Sequence, residues 1–177
     1  IKIEKLKDFC KEQKVSCLGL SDNSNLFGAL EFAEKISKVG TQPIIGTQIY
    51  FKFEDTTGLL PLIALNEKGY KRIIELSSKS YLENDALSNP HLDIKDLFND
   101  TEGVLLLSGT IQGLFGKLFE KGRLDEIVKL YNILSLKFND RMYLEIQRHG
   151  DQNEIGFEKF NLEQSLKVKI PIIATNE

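Results

Sequence analysis

The polar tetrapeptide 22–25, Asp-Asn-Ser-Asn, lies between a short apolar run at residues 18–20 and an amphipathic segment at residues 26–38. Where strands alternate with helices, ligand-binding and catalytic groups collect at the carboxyl ends of the strands. The carboxylate and amide oxygens of residues 22–25 are therefore candidates for contact with a metal or substrate. A structural interpretation stays open, in which Ser24 or Asn25 simply caps the helix that begins near Leu26.

Three further segments share the same design of an apolar run followed by polar residues. They are Gly-Thr-Gln-Pro-Ile-Ile-Gly-Thr-Gln-Ile-Tyr at 40–50, Tyr-Leu-Glu-Ile-Gln-Arg-His-Gly at 143–150 and Ile-Pro-Ile-Ile-Ala-Thr-Asn-Glu at 170–177. In this order, the four segments resemble the PHP (polymerase and histidinol phosphatase) domain of bacterial DNA polymerase III alpha subunits. The resemblance extends over essentially the whole chain. Each motif alone is weak evidence for this resemblance, whereas the four motifs in the same order are specific evidence for it.

The resemblance implies a definite chemistry. An active PHP site is a trinuclear centre that hydrolyses phosphoesters. Its His and carboxylate ligands hold divalent ions about 3.5–4 Å apart, where the ions activate water and clamp the reacting oxygens. The family's first motif, His-x-His on the first strand, does not lie within these residues.

The remaining family ligand positions carry different side chains here. The second motif ends in Asp-His in active members and reads Asp22-Asn23 in this chain. The metal-binding Glu after Pro-Ile-Ile-Gly matches Gln48, and a further family His falls near Leu59. The last motif, Thr-Asn-Asp-x-His, corresponds to Thr-Asn-Glu ending at Glu177. An amide oxygen is a weak neutral donor, and leucine has no donor atom.

His149 alone keeps the ligand type of the family, and a lone loop histidine is typical of hydrogen-bonded structure. His91 matches no ligand position and is expected at the surface. We therefore expect a vestigial site with no catalytic residue and no metal. The polar side chains of this vestigial site are expected to hydrogen-bond to one another in its cavity. They are Asp22, Asn23, Gln48, Arg148, His149 and Glu177. The apolar Leu59 belongs to the same site. Glu145 is expected to pair with Arg148 or with a polar group of a neighbouring strand.

Composition narrows the function classes. The chain has 177 residues and a net charge of −3, which predicts one domain, residues 1–177, without the basic excess that drives nucleic-acid binding. No apolar run approaches the roughly 18 residues of a membrane span. Cys10 is expected on a helix face and Cys17 in the core of a strand, both reduced in a cytoplasmic setting.

Hydrophobic periodicity predicts alternating strands and helices. Helices are expected over 2–13, 26–38, 67–82, 93–98, part of 109–122, 124–138 and 153–166. Strands are expected over 16–20, 43–53, 59–65, 103–107, 142–147 and 170–174. The pattern indicates a parallel sheet or barrel and leaves a doubly wound sheet open. The resemblance favours an α/β fold of the PHP type, a distorted (β/α)7 TIM-like barrel.

We expect this barrel to be incomplete at both ends, with its first strand and closing elements outside these residues. Unpaired edge strands are then expected near residues 16–20 or 170–174, because a closed barrel pairs every strand.

The resemblance implies a parent protein that is a DNA-directed DNA polymerase. This segment is expected to be a non-catalytic scaffold and docking module, without a cofactor, while Mg²⁺ serves the parent's palm domain. Expected partners are the polymerase domains of the same chain, a proofreading exonuclease and other replicase subunits, with DNA contacted through the parent. Two alternatives stay open: a metal-dependent 3′–5′ exonuclease or phosphoesterase with residual activity, and a stand-alone small-molecule phosphatase.

Overall fold

The structure is a computed structural model that describes residues 2–85 and 88–176. Its helices are α1 Ile3–Gln13, α2 Ala29–Ser37, α3 Glu67–Leu82, α4 Leu114–Glu120, α5 Leu124–Phe138 and α6 Glu154–Val168. Its strands are β1 Cys17–Asn23, β2 Gln42–Phe53, β3 Thr56–Ala64, β4 Leu92–Asp93, β5 Val104–Leu107, β6 Met142–Ile146 and β7 Ile172–Ala174. Short 3₁₀ turns cover Ile94–Leu97 and Asn139–Arg141.

The strands form one curled mixed sheet in the order β1-β2-β3-β5-β6-β7, with β4 paired to β2. The pairs β1–β2, β5–β6 and β6–β7 are parallel, whereas β3 runs antiparallel to both of its neighbours. The expectation of a parallel sheet is wrong at β3. Only Glu54 and Asp55 separate β2 from β3, and a two-residue connection can join only antiparallel strands.

The strand expected over 59–65 correspondingly begins earlier, at Thr56, because the turn before it consists of Glu54 and Asp55 alone. Strands β1 and β7 stand at the two ends of the described strand order, as expected of edge strands. The completion of a barrel by further strands stays a prediction.

The two faces of the sheet differ in burial. One face packs against the helices and forms the main core with fully buried side chains such as Ile49, Phe51, Leu60, Leu62, Leu106, Met142 and Leu144. Because successive strand residues point to opposite sides, the intervening residues form the other face. We call this second face the open face; on β1 to β3 it carries Asn23, Gln48, Tyr50 and Leu59, which are exposed or half-buried.

Basic side chains, above all Arg123, anchor the β2–β3 hairpin to the helices. Arg123 donates hydrogen bonds to Glu54, to Asp55 and to Glu126 at the start of α5. Its guanidinium carbon also lies 5.5 Å from the centre of the Phe53 ring. The tip of the hairpin is thus held by ion pairs and a cation–π contact, although its acidic side chains are largely exposed.

Several local predictions need correction. Helix α2 begins at Ala29 rather than near Leu26, because Asn25 accepts a hydrogen bond from the Phe27 N–H and holds a turn there. Strand β1 runs on to Asn23, beyond the predicted end at residue 20. Cys17 is exposed on the open face rather than buried, while Cys10 is buried as a helix-face residue.

Helix α3 packs on the core through Ile73, Leu76 and Ser80, which are buried, whereas Ile74 is 41% exposed. The bounds of α3 and α5 are confirmed.

Close backbone approaches at two glycines allow the sheet to pack. A Cβ on Gly46 would lie 2.6 Å from the Leu62 carbonyl oxygen. A Cβ on Gly58 would lie 2.4 Å from the backbone of Leu114, where α4 begins. Neither position can accept a side chain without movement of the backbone.

We expect Gly58→Ala to destabilise the fold by about 1–3 kcal/mol, because the added methyl group must displace α4 from β3. Thermal unfolding with circular dichroism measures the effect. Gly19→Ala in β1 is the matched control, since its Cβ would meet no atom within 4 Å. Equal midpoints for the two variants would contradict this account of the packing.

Candidate functional site

The register of β1, β2 and β3 brings three of the expected site positions to the open face. Asn23 pairs with Gln48 across β1 and β2. On the next ladder Gln48 pairs with Pro61, and Tyr50 pairs with Leu59. Paired residues point to the same side of a sheet, so Asn23, Gln48 and Leu59 share one face.

Asp22 lies on the opposite side of the sheet from Asn23. Its register partner is Thr47, which is fully buried and donates a hydrogen bond of 2.8 Å to the Asp22 carbonyl oxygen. A Cβ on Gly28 would meet Asp22 Oδ2 at 3.0 Å, so the carboxylate lies against the start of α2. The structure therefore does not bring Asp22 together with Asn23 and Gln48. The cause is that β1 extends through both residues, which must then alternate in direction.

A second polar cluster surrounds Glu145 near the end of β6. Glu145 is 5% exposed, and its Oε1 accepts hydrogen bonds from the Thr175 hydroxyl and from Gln147 Nε2 at 3.2 Å. Gln147 Nε2 also lies 2.8 Å from Thr175 Oγ1. Thr175 follows β7, so the expectation that Glu145 pairs with a polar group of a neighbouring strand is confirmed.

His149 is joined to this cluster through Gln147. Its Nε2 lies 2.9 Å from Gln147 Oε1. Because Glu145 must accept from the amide nitrogen of Gln147, the amide oxygen faces His149, and His149 Nε2 must carry the proton and donate. Nε2 then has no lone pair for a metal ion, whereas Nδ1 of the neutral ring keeps one.

Arg148 points away from Glu145 toward α6, so the alternative pairing with Glu145 is not made. Its Nε and Nη2 donate to the two carboxylate oxygens of Glu158 at 3.0 and 2.6 Å. These bonds hold the pKa of Glu158 below its ordinary value, although burial acts in the opposite direction. The side chain of Arg148 remains 79% exposed, so this pair contributes little to stability.

The loop that carries His149 is fixed by one carboxylate. Glu154 Oε2 accepts the backbone N–H groups of His149, Gly150 and Asp151 at 2.9, 3.0 and 3.2 Å. Hydrogen bonds to an ionised acceptor are the stronger kind. Sequence reasoning missed this role, although the spacing Asp151-x-x-Glu154 is similar to a capping box and could have signalled it.

Buried polar groups hold β6 itself in place. The Tyr131 hydroxyl donates to Asn161 Oδ1 at 2.9 Å, and burial raises the pKa of Tyr131. Ser108 Oγ accepts the Glu145 N–H at 2.8 Å. Asn161 Nδ2 in turn donates to the Glu145 carbonyl oxygen at 3.5 Å, so the backbone N–H and C=O groups of Glu145 both bond to fully buried side chains.

The two polar clusters lie on different strands. Strands β3 and β5 lie between β2 and β6, so the axes of β2 and β6 are about 14 Å apart when measured along the curled sheet, and less in a straight line. Between β6 and α6 there is a cavity of about 10 Å³ beside Glu145, Glu154 and Phe157, enough for one water molecule. Within residues 2–85 and 88–176, no three His, Cys, Asp or Glu side chains are grouped so as to hold a metal ion. Glu177, a predicted member of the site, lies outside the described residues.

Comparison with known proteins gives consistent results. The sequence model of the PHP domain matches residues 1–149. DNA polymerase III subunit alpha of Rickettsia felis is 34% identical over 99% of this chain, and that of Caulobacter vibrioides is 33% identical over 100% of it. These matches cover 15% and 16% of the relatives, so the chain spans about a sixth of their length.

The fold is also similar to a solved structure, that of a proposed metal-dependent phosphoesterase from Bifidobacterium adolescentis. The TM-score is 0.59, and the match covers 98% of this chain and 80% of that chain. The sequence identity is 11%, so this likeness shows the fold alone. Among the described residues, no helix has the length and apolar character required to cross a membrane.

We expect Arg148→Gln to raise the pKa of Glu158 toward the ordinary carboxyl value of 4.5, because the two hydrogen bonds that favour the ionised form are lost. The carboxyl carbon shift of Glu158, followed by NMR through an acid titration, measures it. Since the folded pKa is the lower one, the pair's small contribution to stability is present above pH 4.5 and is lost as the pH falls through the folded pKa.

Lys159→Gln, which removes a neighbouring cation without a hydrogen bond to Glu158, is the control for this titration. A similar rise of the pKa in both variants would show that general charge, rather than the Arg148 bonds, sets the value.

Proposed function

Because this chain belongs to the PHP domain family, we propose that it is a segment of a DNA polymerase III alpha subunit that acts as a scaffold and protein-docking module with a lost trinuclear metal site. The observation that carries the proposal is the chemistry of the open face. At the family's ligand positions this face presents the amides of Asn23 and Gln48 and the apolar side chain of Leu59. Two neutral donors and one residue without a donor atom do not hold three divalent ions.

The surroundings of the remaining ligand types support the same proposal. The Asp22 carboxylate lies against α2, on the other side of the sheet. His149 donates from Nε2 to Gln147, and β3 and β5 separate its strand from the Asn23–Gln48 pair. The described donors thus do not fit the metal centre of active relatives, and no hydrolytic step is derived from them.

We further propose that the curled sheet belongs to a distorted (β/α)7 barrel that is incomplete in these residues. The edge positions of β1 and β7 and the likeness to the phosphoesterase fold support this. The antiparallel β3 is the local departure from regular β/α alternation.

The parent protein is proposed to be a cytoplasmic DNA-directed DNA polymerase whose palm domain uses Mg²⁺. The curated relatives named DNA polymerase III subunit alpha support this, as does the small share of their length that the chain spans. The remaining polymerase domains are the proposed first partners, followed by a proofreading exonuclease and other replicase subunits. With a net charge of −3, this segment leaves DNA contact to the parent.

A residual metal-dependent exonuclease or phosphoesterase is the second candidate. The fold likeness to a proposed metal-dependent phosphoesterase favours it. It would need ligands outside these residues, together with Asp22, His149 and Glu177. The positions of Asp22 and His149 make it the weaker candidate, and a stand-alone small-molecule phosphatase is disfavoured by the length of the relatives.

We expect the full-length protein, purified without chelators or a histidine tag, to contain far less than one zinc, manganese or iron ion per chain bound by this segment. Inductively coupled plasma mass spectrometry measures this. One or more ions per chain that are lost in His149→Ala, but retained in His91→Ala, would overturn the lost-site proposal.

His149→Ala in the full-length protein is also expected to leave primer-extension rates within about twofold of the unchanged protein, because the histidine makes only a loop hydrogen bond. A sharp loss of synthesis, with the thermal midpoint unchanged, would contradict the scaffold role.

A further inference from the structure

The segment that follows β6, residues 148–152, is attached to the domain by few bonds, and we call it the strap. The N–H groups of His149 and Gly150 meet no backbone carbonyl in the described part of the chain, and both donate to Glu154 Oε2 at 2.9 and 3.0 Å. The N–H of Asp151 donates to the same oxygen at 3.2 Å. One carboxylate oxygen of α6 therefore holds three consecutive N–H groups of the strap.

The second attachment of the strap lies one helical turn further along α6. Arg148 donates to both carboxylate oxygens of Glu158 at 3.0 and 2.6 Å. Residues four apart lie on the same side of a helix, so Glu154 and Glu158 project side by side. Gln112 Nε2 also lies 3.5 Å from Asp151 Oδ2, at the limit of a hydrogen bond. The strap is thus tied mainly to two neighbouring side chains.

The same two glutamates stand between two cavities. The inner cavity, of about 10 Å³, lies beside Glu145. On the outside, a groove of about 540 Å³ runs between the strap and α6. Glu154 and Glu158 line both. The strap therefore holds in place the residues that separate the buried carboxylate of Glu145 from the groove.

The path of the strap depends on the backbone of Gly150. This residue has a φ of +91°, in the left-handed region that glycine adopts at little cost. A Cβ at this position would meet no atom within 4 Å, so the surrounding space does not demand a glycine. The backbone conformation alone makes the demand, which is typical of a hinge position.

We propose that the strap has a closed and an open state, with Glu154 as its latch, and that it controls the entry of solvent to the Glu145 carboxylate. In the closed state the strap fixes Glu154 and Glu158 as the wall of the inner cavity. In the open state residues 149–151 leave Glu154, Arg148 leaves Glu158, and the inner cavity joins the groove. Segments held by few contacts open more readily than the elements beside them.

Hydrogen exchange of the full-length protein, followed by mass spectrometry with residue-level fragmentation, tests the latch. Glu154→Gln replaces a charged acceptor by a neutral one of similar size, and Glu163→Gln is the matched control at an exposed position of the same helix. In the unchanged protein we expect the amides of residues 149–151 to show equal protection, because one opening releases all three. In Glu154→Gln we expect them to exchange at least roughly tenfold faster than in the control.

Three results of the exchange experiment would overturn the proposal. Protection factors that differ by more than roughly tenfold among the three amides of the unchanged protein would show that the strap is not one unit. Equal exchange in Glu154→Gln and Glu163→Gln would show that Glu154 is not the latch. Equal acceleration at Leu144 and Glu145 would show that β6 unfolds together with the strap.

A second variant acts on the strap without altering the latch. Gly150→Ala is expected to speed exchange at residues 149 and 151 at least roughly fivefold, because a side chain disfavours the left-handed conformation of the closed state. Gly122→Ala is its control, since Gly122 also has a positive φ, of +71°, and open space around its Cβ position. The same exchange rates in both variants would contradict the hinge.

Carboxyl labelling measures the access of solvent to Glu145 directly. A water-soluble carbodiimide activates the carboxyl group, and added glycinamide then displaces the urea and forms an amide, which peptide mass spectrometry locates. We expect modification of Glu145 in the full-length protein to be at least roughly tenfold faster in Glu154→Gln than in Glu163→Gln, in proportion to the amide exchange. Equal modification of Glu145 in the two variants would overturn the gating role of the strap.

Discussion

The pairing register of β2 with its two neighbours is the constraint on which the rest of the structure depends. It sets Asn23 beside Gln48 and Tyr50 beside Leu59, and it turns Ile49 and Phe51 into the core. A slip by one residue would exchange the two faces and expose the core side chains. The close contact of Gly46 with Leu62 and the Arg123 anchor both act on this strand. Packing and site geometry are therefore decided together, since the same pairings fix both.

The polar groups near the end of β6 show how buried carboxylates are stabilised by hydrogen bonds from the protein itself. Glu145 receives donors from Gln147 and Thr175, while Glu154 receives three backbone N–H groups. Buried carboxylates are costly unless they are hydrogen-bonded, and here each has protein donors. The domain can consequently keep charged residues in this position as structural members. A charged side chain in the cavity is then no proof of catalysis.

Much of the architecture could be predicted from the sequence, because helix periodicity is a local signal. The bounds of α3 and α5 follow directly from it. The orientation of β3 was missed because β/α alternation was assumed throughout, although the five residues between the expected strands 43–53 and 59–65 are already too few for a parallel crossover. The direction of Asp22 was missed because β1 continues beyond residue 20 to Asn23, and neighbouring strand residues such as Asp22 and Asn23 point to opposite faces.

The candidate site could likewise be predicted from the sequence only in part. Residue types at the family positions are visible in the sequence, so the amides and Leu59 could be identified there. The bonds from Gln147 and Thr175 to Glu145 could not, because Thr175 is thirty residues from its partner and meets it only when β7 pairs with β6.

The two-residue turn between β2 and β3 has a further consequence for how the domain folds. Closing so short a loop costs little chain entropy, whereas each parallel pair must wait for a crossover to form. The hairpin can therefore form early in folding, and the later strands then add to a register that is already set.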